Sequence, residues 1–358
     1  MLVLVFCCAP STAASAESDA STTQSGSLIA PKGRFNADLR YRIEDVSQDD
    51  LAKNSFASTL RTRLEYKIKF DSSFSFHVGV DDVRSIGSAD YTTPSLGALA
   101  TDIGPKNGGY PVIADPLETE LNQLHASYST RSTKITVGRQ RIIRANSRFI
   151  GNVGWRQREQ TFDAVSIENE LTANWNIFAA YIDRRNTITF TDVNHQTLLF
   201  DAAYKGLPLG VISGYYYDIK DAESDATLNT IGLRLTGAKE RANYTIEWAH
   251  QSNKENESPT YLLLEGGLNL PGVVLTLGFE KLGSANTTSF ATPLATLHKF
   301  NGWADQFLAT PNQGLKDRYV KLSGKLGEVQ LTAVYHDFKS DIRALAYGSE
   351  IDMSAEMK

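Results

Sequence analysis

Apolar and polar residues alternate with a period of two along most of the chain. In residues 33–45 the apolar positions are Phe35, Ala37, Leu39, Tyr41 and Ile43, and the residues between them are polar or charged. This period is typical of a β-strand whose two faces meet different surroundings. A soluble β-sandwich also alternates, but crossings of about ten residues with an aromatic residue at the ends of the apolar row are typical of membrane-spanning strands.

Sixteen segments show this character between turn residues. The predicted strands are residues 33–45, 55–70, 74–83, 121–129, 133–141, 160–168, 173–182, 197–204, 209–219, 228–236, 242–250, 260–266, 273–281, 317–323, 328–338 and 347–358. Short and long connections alternate along the chain. Residues 71–73 and 130–132 are short connections, and residues 84–120, 142–159 and 282–316 are long ones. Outer-membrane barrels have short turns on one rim and long loops on the other. A soluble all-β protein, the alternative, has no reason for this regularity.

The sequence therefore predicts an all-β fold, a transmembrane antiparallel up-and-down β-barrel in the bacterial outer membrane. The chain has 15 Tyr and 16 Phe, and many stand at predicted strand ends, where such barrels carry aromatic girdles. No run of about 18 apolar residues occurs, which excludes a membrane protein built from helices.

The first sixteen residues predict a secretory signal peptide. An apolar stretch at 2–6 leads to the small residues of 14–16, and we expect cleavage before Glu17. Cys7 and Cys8, which are the two cysteines of the chain, both lie in this segment. The mature chain then has no disulfide or thiolate chemistry.

The remaining sequence divides into two parts. Residues 17–32 are rich in Ser, Thr and Ala and predict a flexible N-terminal lead. Residues 33–358 contain no linker-like composition and predict one barrel domain. The last predicted strand stops at Lys358 without the terminal aromatic residue of comparable barrels, so we expect that the barrel is incomplete here by one hairpin, about 25–45 residues.

A block of arginines stands out because the formal net charge is −5. Residues 139–158 contain no acid and six arginines, namely Arg139, Arg141, Arg144, Arg148, Arg156 and Arg158. They lie largely in the loop between the fifth and sixth predicted strands, which we expect to fold into the lumen. Strand parity turns four more arginines inward, namely Arg40, Arg42, Arg61 and Arg63. These ten are the candidate substrate-binding residues of the lumen and its constriction.

Guanidinium groups bind carboxylates through paired hydrogen bonds and stay charged at any relevant pH. An arginine lining therefore favours anions, in particular carboxylated sugars or organic acids. One alternative is that the arginines pair with lumen acids, of which Asp38, Glu44, Glu65 and Asp163 are candidates, and brace the wall. A general porin without solute preference would follow.

Little in the sequence indicates catalysis. The six histidines show no metal-ligand spacing, and neither G-x-S-x-G nor H-E-x-x-H occurs. We predict a non-enzymatic protein with no catalytic residues, no cofactor, no bound metal and no nucleic-acid partner. The remaining alternative is a barrel that anchors an enzyme or adhesin, with function in loops 84–120 and 282–316 or with His125 or His336 beside a serine.

Four segments resemble the alginate export family. They are Gly138-Arg139-Gln140-Arg141, residues 155–165, residues 300–307 and Asp317-Arg318-Tyr319. The resemblance covers essentially all of 33–358. It implies about eighteen strands and an arginine-lined, anion-selective lumen, which in type members passes the polyuronate alginate. The partners that we expect are outer-membrane lipid, an anionic saccharide or small organic anion, the barrel assembly machinery and a periplasmic export partner, and we expect the channel itself to be a monomer.

Overall fold

The computed structural model describes residues 2–8, 32–93, 109–223, 226–254 and 257–357. Most of the predicted flexible lead and residues 94–108 of the predicted loop 84–120 lie outside this part. The strands up to residue 207 are β1 Leu2–Cys8, β2 Lys32–Ser47, β3 Ser55–Lys69, β4 Phe74–Asp90, β5 Thr119–Ser129, β6 Thr133–Gln140, β7 Thr161–Glu170, β8 Trp175–Asn186 and β9 Asp192–Leu207.

The later strands are β10 Gly210–Lys220, β11 Thr227–Lys239, β12 Ala242–Asn253, β13 Thr260–Leu270, β14 Val273–Leu282, β15 Ser284–Ala285, β16 Thr288–Ser289, β17 Leu315–Leu326, β18 Val329–Lys339 and β19 Ala346–Met357. A single 3₁₀ turn, Leu297–Lys299, interrupts the strands in the described part of the chain. No helix of the described residues is long and apolar enough to cross a membrane.

All sixteen predicted strands are confirmed. Most of them are longer than predicted, and β4 and β9 are extended the most. β4 continues to Asp90 although Asp82 and Arg84 interrupt its apolar row, because both residues still pair with β3. β9 begins at Asp192, five residues early, and its alternation of exposed and buried positions continues through this extension. Polar residues near the ends of these strands hid the pattern in the sequence.

Three further strands were not predicted. β15 and β16 form a small hairpin inside the predicted loop 282–316. β1 pairs antiparallel with β2, from Leu2 opposite Ser47 to Cys8 opposite Tyr41. The assignment of this segment to a cleaved signal peptide stays a prediction.

The described strands fall into two compact units. The first comprises residues 1–167, 181–195 and 294–296, and the second comprises residues 168–180, 196–293 and 297–358. In the first unit β2 to β6 pair in sequence order, each antiparallel to the next. In the second unit β9 to β14 and then β17 to β19 do the same. Consecutive antiparallel pairing is the predicted up-and-down order.

Both units reverse the usual distribution of polar and apolar side chains. In the first, Leu64 is 44% exposed while Asp81 is fully buried. In the second, Leu277 is 54% exposed while Glu247 and Asp317 are each 1% exposed. A water-soluble sandwich buries its apolar face, whereas an exposed apolar face and a polar interior are typical of a membrane barrel. The soluble alternative is therefore not supported.

Candidate functional site

Residues 141–160, named here the arginine loop, connect β6 to β7 and lie against the polar face of β2 and β3. Arg40 of β2 donates from Nε to Gln157 Oε1 at 2.9 Å and from Nη1 to the carbonyl of Gly154 at 3.1 Å. Gln157 in turn donates from Nε2 to Thr59 Oγ1 at 2.8 Å. The expectation that this loop folds inward onto the arginine-bearing strands agrees with these contacts.

A buried group of charges holds the middle of the loop. Arg42 donates from Nη2 to Glu44 Oε2 at 2.6 Å and from Nη1 to the carbonyl of Trp155 at 2.9 Å, and its guanidinium carbon lies 4.6 Å from the Trp155 ring centroid. Arg156 Nη1 donates to both oxygens of Glu44, at 3.1 and 3.2 Å. Asp115 Oδ2 lies 3.5 Å from Arg42 Nη1. One carboxylate of β2 thus joins an arginine of its own strand to an arginine of the loop.

A second group holds the end of the loop. Arg63 of β3 binds Asp81 through two hydrogen bonds of 2.6 Å, and its Nη1 lies 2.9 Å from Glu159 Oε1. Arg141 donates to both oxygens of Glu159, with Nε at 2.6 Å from Oε2. Asn152 also donates to Oε2, at 2.7 Å. Glu159 therefore ties both ends of the arginine loop to β3.

Three more predicted arginines have carboxylate partners. Arg61 pairs with Asp38 across β3 and β2. Arg139 binds both oxygens of Asp163, at 2.8 and 3.2 Å. Arg158 pairs with Glu120, and its guanidinium carbon stands 3.3 Å from the ring centroid of Phe190.

The remaining two, Arg144 and Arg148, shape the loop through their backbone. The Arg144 amide donates to the carbonyl of Ile150 at 3.0 Å, and the Arg148 amide donates to Asn146 Oδ1 at 3.2 Å. Arg148 is buried and Arg144 is half-buried.

Gly138 sets the backbone conformation of β6 shortly before the arginine loop begins. Gly138 has φ of 115°, in the left-handed region, and a Cβ built there would stand 2.3 Å from the carbonyl oxygen of Leu124. Only glycine fits this backbone and this close approach. The following residue is Arg139, so the Gly138-Arg139 pair noted in the sequence has a direct steric explanation.

The sequence found only part of the set of carboxylate partners. Asp38, Glu44 and Asp163 pair with arginines, but Glu65 contacts His77 and Asn36 instead. The missed partners include Asp81, Asp115, Glu120, Glu159 and Asp192. Strand parity could have found Asp81, because it is opposite Arg63 in the register. Asp115 lies in a long loop and has no periodic signal.

The arginines of this site differ in how far water reaches them. The Arg141 side chain is 35% exposed, compared with 16% for Arg139 and 2% for Arg42 and Arg158. Of these four, Arg141 is the one best placed to meet a dissolved anion.

Glu159 is expected to make the contacts of the arginine loop depend on pH. Burial by itself raises the pKa of Glu159, but the hydrogen bond from Arg141 and the charges of Arg63 and Arg141 hold the pKa below its ordinary value. Because the pKa of Glu159 is lower in the folded than in the unfolded state, its ionised form stabilises the fold. This stabilisation is fully present above the ordinary glutamate pKa of about 4.3, and it is lost as the pH falls from there through the lowered pKa of the folded state. We expect the loop contacts to loosen in acid, seen as a rise in single-channel current noise between pH 6 and pH 3. The Glu159→Gln variant should be noisy already at pH 6 and should lose this pH dependence.

In the second unit, the segment 300–307 docks on acids of β14, β17 and β19, of which Glu280 and Asp317 are buried. Asn301 donates from Nδ2 to Glu280 Oε2 at 2.6 Å and to Asp317 Oδ2 at 3.2 Å. The amide of Ala304 donates to Glu350 Oε1 at 2.7 Å. His336 Nδ1 lies 2.9 Å from Asp317 Oδ1. These contacts explain why two segments of the family resemblance, at 300–307 and 317–319, occur together.

The acidic and histidine side chains also bear on metal binding and on the hydrolase alternative. Among the residues that the structure describes, no group of three or more His, Cys, Asp or Glu side chains is arranged to hold a metal ion. His336 faces the carboxylates of Asp317 and Asp352. His125 Nδ1 is 3.5 Å from Ser127 Oγ, which is long for a base that activates a hydroxyl.

Solved structures with a similar fold are outer-membrane porins. Pseudomonas aeruginosa OccD3 (OpdP) is 13% identical with a TM-score of 0.64, over 92% of this chain and 82% of that chain. Pseudomonas aeruginosa OpdO is 11% identical with a TM-score of 0.65, over 91% and 86%. Acinetobacter baumannii OccAB3 is 13% identical with a TM-score of 0.63, over 92% and 89%. At such identities the likeness shows the fold, an antiparallel β-barrel of the outer membrane.

The sequence comparisons identify the family. A search of the curated proteins gave no match. The sequence model of the alginate export family matches residues 32–259, more than half of the chain. Family and fold are those of non-enzymatic channels. The chain therefore belongs to the alginate export family and is a β-barrel channel of the bacterial outer membrane.

Proposed function

We propose that this channel passes anionic solutes by diffusion, and that acidic saccharides, including polyuronates such as alginate, are the solute class. The observation that carries the proposal is the concentration of ten arginines on the arginine loop and on β2, β3 and β6 around it, with Arg141 accessible to water. The family's description, alginate export, agrees with a polyanionic solute.

Ion pairing does not remove the capacity of Arg141 to bind a second carboxylate. A guanidinium has five N–H donors in a planar fork. Arg141 uses Nε and Nη2 on Glu159, so its remaining N–H groups are left for a solute. A carboxylate of a sugar acid matches this planar edge better than a spherical halide does, because two parallel hydrogen bonds form.

The carboxylate partners also favour a second candidate, a general porin. At least seven of the ten predicted arginines have an acid within ion-pair distance, namely Arg42, Arg61, Arg63, Arg139, Arg141, Arg156 and Arg158. A lumen whose cations are neutralised in this way would pass small solutes with little preference for charge.

The Arg141→Gln variant separates these candidates. A unit charge acting across water on an anion about 6 Å away contributes about 0.7 kcal/mol, or about threefold in local concentration. We therefore expect the ratio of anion to cation permeability, from the reversal potential in a KCl gradient across a planar bilayer, to fall by about this factor. Block by oligouronate should weaken in parallel.

The matched control is Arg131→Gln. Arg131 is exposed in the short turn between β5 and β6, outside the arginine loop, so its removal should leave both readouts unchanged. If the wild-type channel shows no anion preference and no oligouronate block, the proposal is wrong and the general porin is the better account.

A further inference from the structure

Away from the arginine loop, a row of polar side chains crosses the polar face from β2 to β6. Its members, named here the histidine row, are Asn36, Glu65, His77, His125, Ser127 and Thr136. His77 of β4 and His125 of β5 are directly opposite each other in the register. Their rings meet edge to face, with His77 Nδ1 at 3.1 Å from His125 Nε2.

The outer nitrogens of the two rings have oxygen neighbours. His77 Nε2 lies 3.3 Å from Glu65 Oε1, and Asn36 holds the other oxygen of Glu65 at 3.1 Å. His125 Nδ1 lies 3.5 Å from Ser127 Oγ. A neutral imidazole carries one proton. In this structure one of the two inner nitrogens donates to the other. If each ring instead carries its proton on the outer nitrogen, His77 Nδ1 and His125 Nε2 both turn a lone pair toward the gap between the rings, and a cation bound there takes the place of the hydrogen bond.

We propose that His77 and His125 form a two-imidazole binding site for a divalent transition-metal cation of the Zn²⁺ class. This proposal is independent of the solute that the channel passes. Zn²⁺ is bound by imidazole nitrogens at about 2.0–2.1 Å in tetrahedral geometry, which places two ligand nitrogens about 3.4 Å apart. The observed 3.1 Å is within about 0.3 Å of that separation, so a small rotation of either ring opens the site.

Glu65 provides the outer contact that such a site needs. A histidine that ligates a metal almost always donates its other ring N–H to a carboxylate or carbonyl, which fixes the tautomer and makes the ligating nitrogen more basic. Glu65 Oε1 lies 3.3 Å from His77 Nε2, close enough to accept its proton after a small ring rotation, and Asn36 holds the other carboxylate oxygen. His125 is only half-buried, so water can supply the two ligands that complete a tetrahedron.

The test is a calorimetric titration of the folded wild-type barrel, in detergent, with Zn²⁺ alone. We expect one saturable site that His77→Asn and His125→Gln each abolish. Glu65→Gln should keep the site and weaken it by about 10–100-fold, the usual effect of losing such an outer partner. A purely structural role for Glu65 would leave Zn²⁺ affinity unchanged. His250→Asn, on β12 in the second unit, is the matched control and should bind as the wild type does.

A variant that does not fold would also fail to bind Zn²⁺, so folding is checked separately and a second spectroscopic signal is measured. Folded barrel is separated from unfolded chain by its shifted gel mobility without heating, and only folded fractions are titrated. Replacement of Zn²⁺ by Co²⁺ should give visible absorption bands of nitrogen ligation that disappear in His125→Gln. Zn²⁺ binding that persists unchanged in both histidine variants, or no saturable binding by the wild type, overturns the proposal.

Discussion

Glu44→Gln is expected to release the arginine loop from the strands beneath it. Glu44 is 3% exposed and accepts hydrogen bonds from Arg42 and Arg156, both buried. Removing one partner of a buried ion pair costs about 3–5 kcal/mol, because a charge remains buried without compensation. Here two guanidinium groups lose their shared carboxylate, and Arg42 keeps Asp115 at 3.5 Å. The least costly response is for Arg156 to move into water and take the middle of the loop with it.

Trypsin is the direct probe of this release, because it cleaves after arginine. Folded wild-type barrel should resist cleavage within residues 141–160, and the Glu44→Gln barrel should be cut there while its strands stay intact. Single-channel recording should show larger and noisier conductance. Asp45→Asn is the control, since the next residue of β2 points to the opposite face. Equal trypsin resistance of the two variants would mean that Gln157 and Arg40 hold the loop without Glu44.

The sequence predicted the strands well because the signal that defines them is local. One face of each strand meets lipid and the other meets polar groups, so the period of two survives without any knowledge of neighbouring strands. The same parity correctly placed Arg40, Arg42, Arg61 and Arg63 on one face. The alternation failed to mark the strand where polar residues occupy both of its faces, as beyond residue 83 in β4.

The partners of the arginines were harder to predict because they depend on register and on loop conformation. Arg42 meets Asp115 from a loop 73 positions away in sequence (115 − 42), and no periodicity connects the two. Glu159 immediately follows residues 139–158, which contain no acid, yet its carboxylate is shared by two arginines. Glu65 was expected to pair with an arginine, but the register places His77 within its reach. Charge composition alone therefore overstated how far the arginines are free of acids.

Arg63→Met is expected to cause the largest loss of barrel stability among single substitutions of the predicted arginines. Asp81 is fully buried, and Arg63 supplies both of its strongest hydrogen bonds, at 2.6 Å each. Asn122 gives it one further bond of 3.1 Å, which is not charged. We expect the free energy of unfolding, from urea titration of tryptophan fluorescence in lipid vesicles, to fall by about 3–5 kcal/mol.

The double variant Arg63→Met/Asp81→Leu tests the physical reason for this loss. A buried ion pair pays a large desolvation cost, so replacing both partners by apolar residues of similar volume is often neutral, whereas removing one is not. Glu159 keeps Arg141 and Asn152 as partners when Arg63 is gone. We therefore expect the double variant to recover most of the lost stability. Arg84→Met breaks an exposed ion pair with Asp82 on the same strand and should cost less than about 1 kcal/mol. A double variant no more stable than Arg63→Met would show that Arg63 acts through packing or through Glu159, and that its charge on Asp81 is secondary.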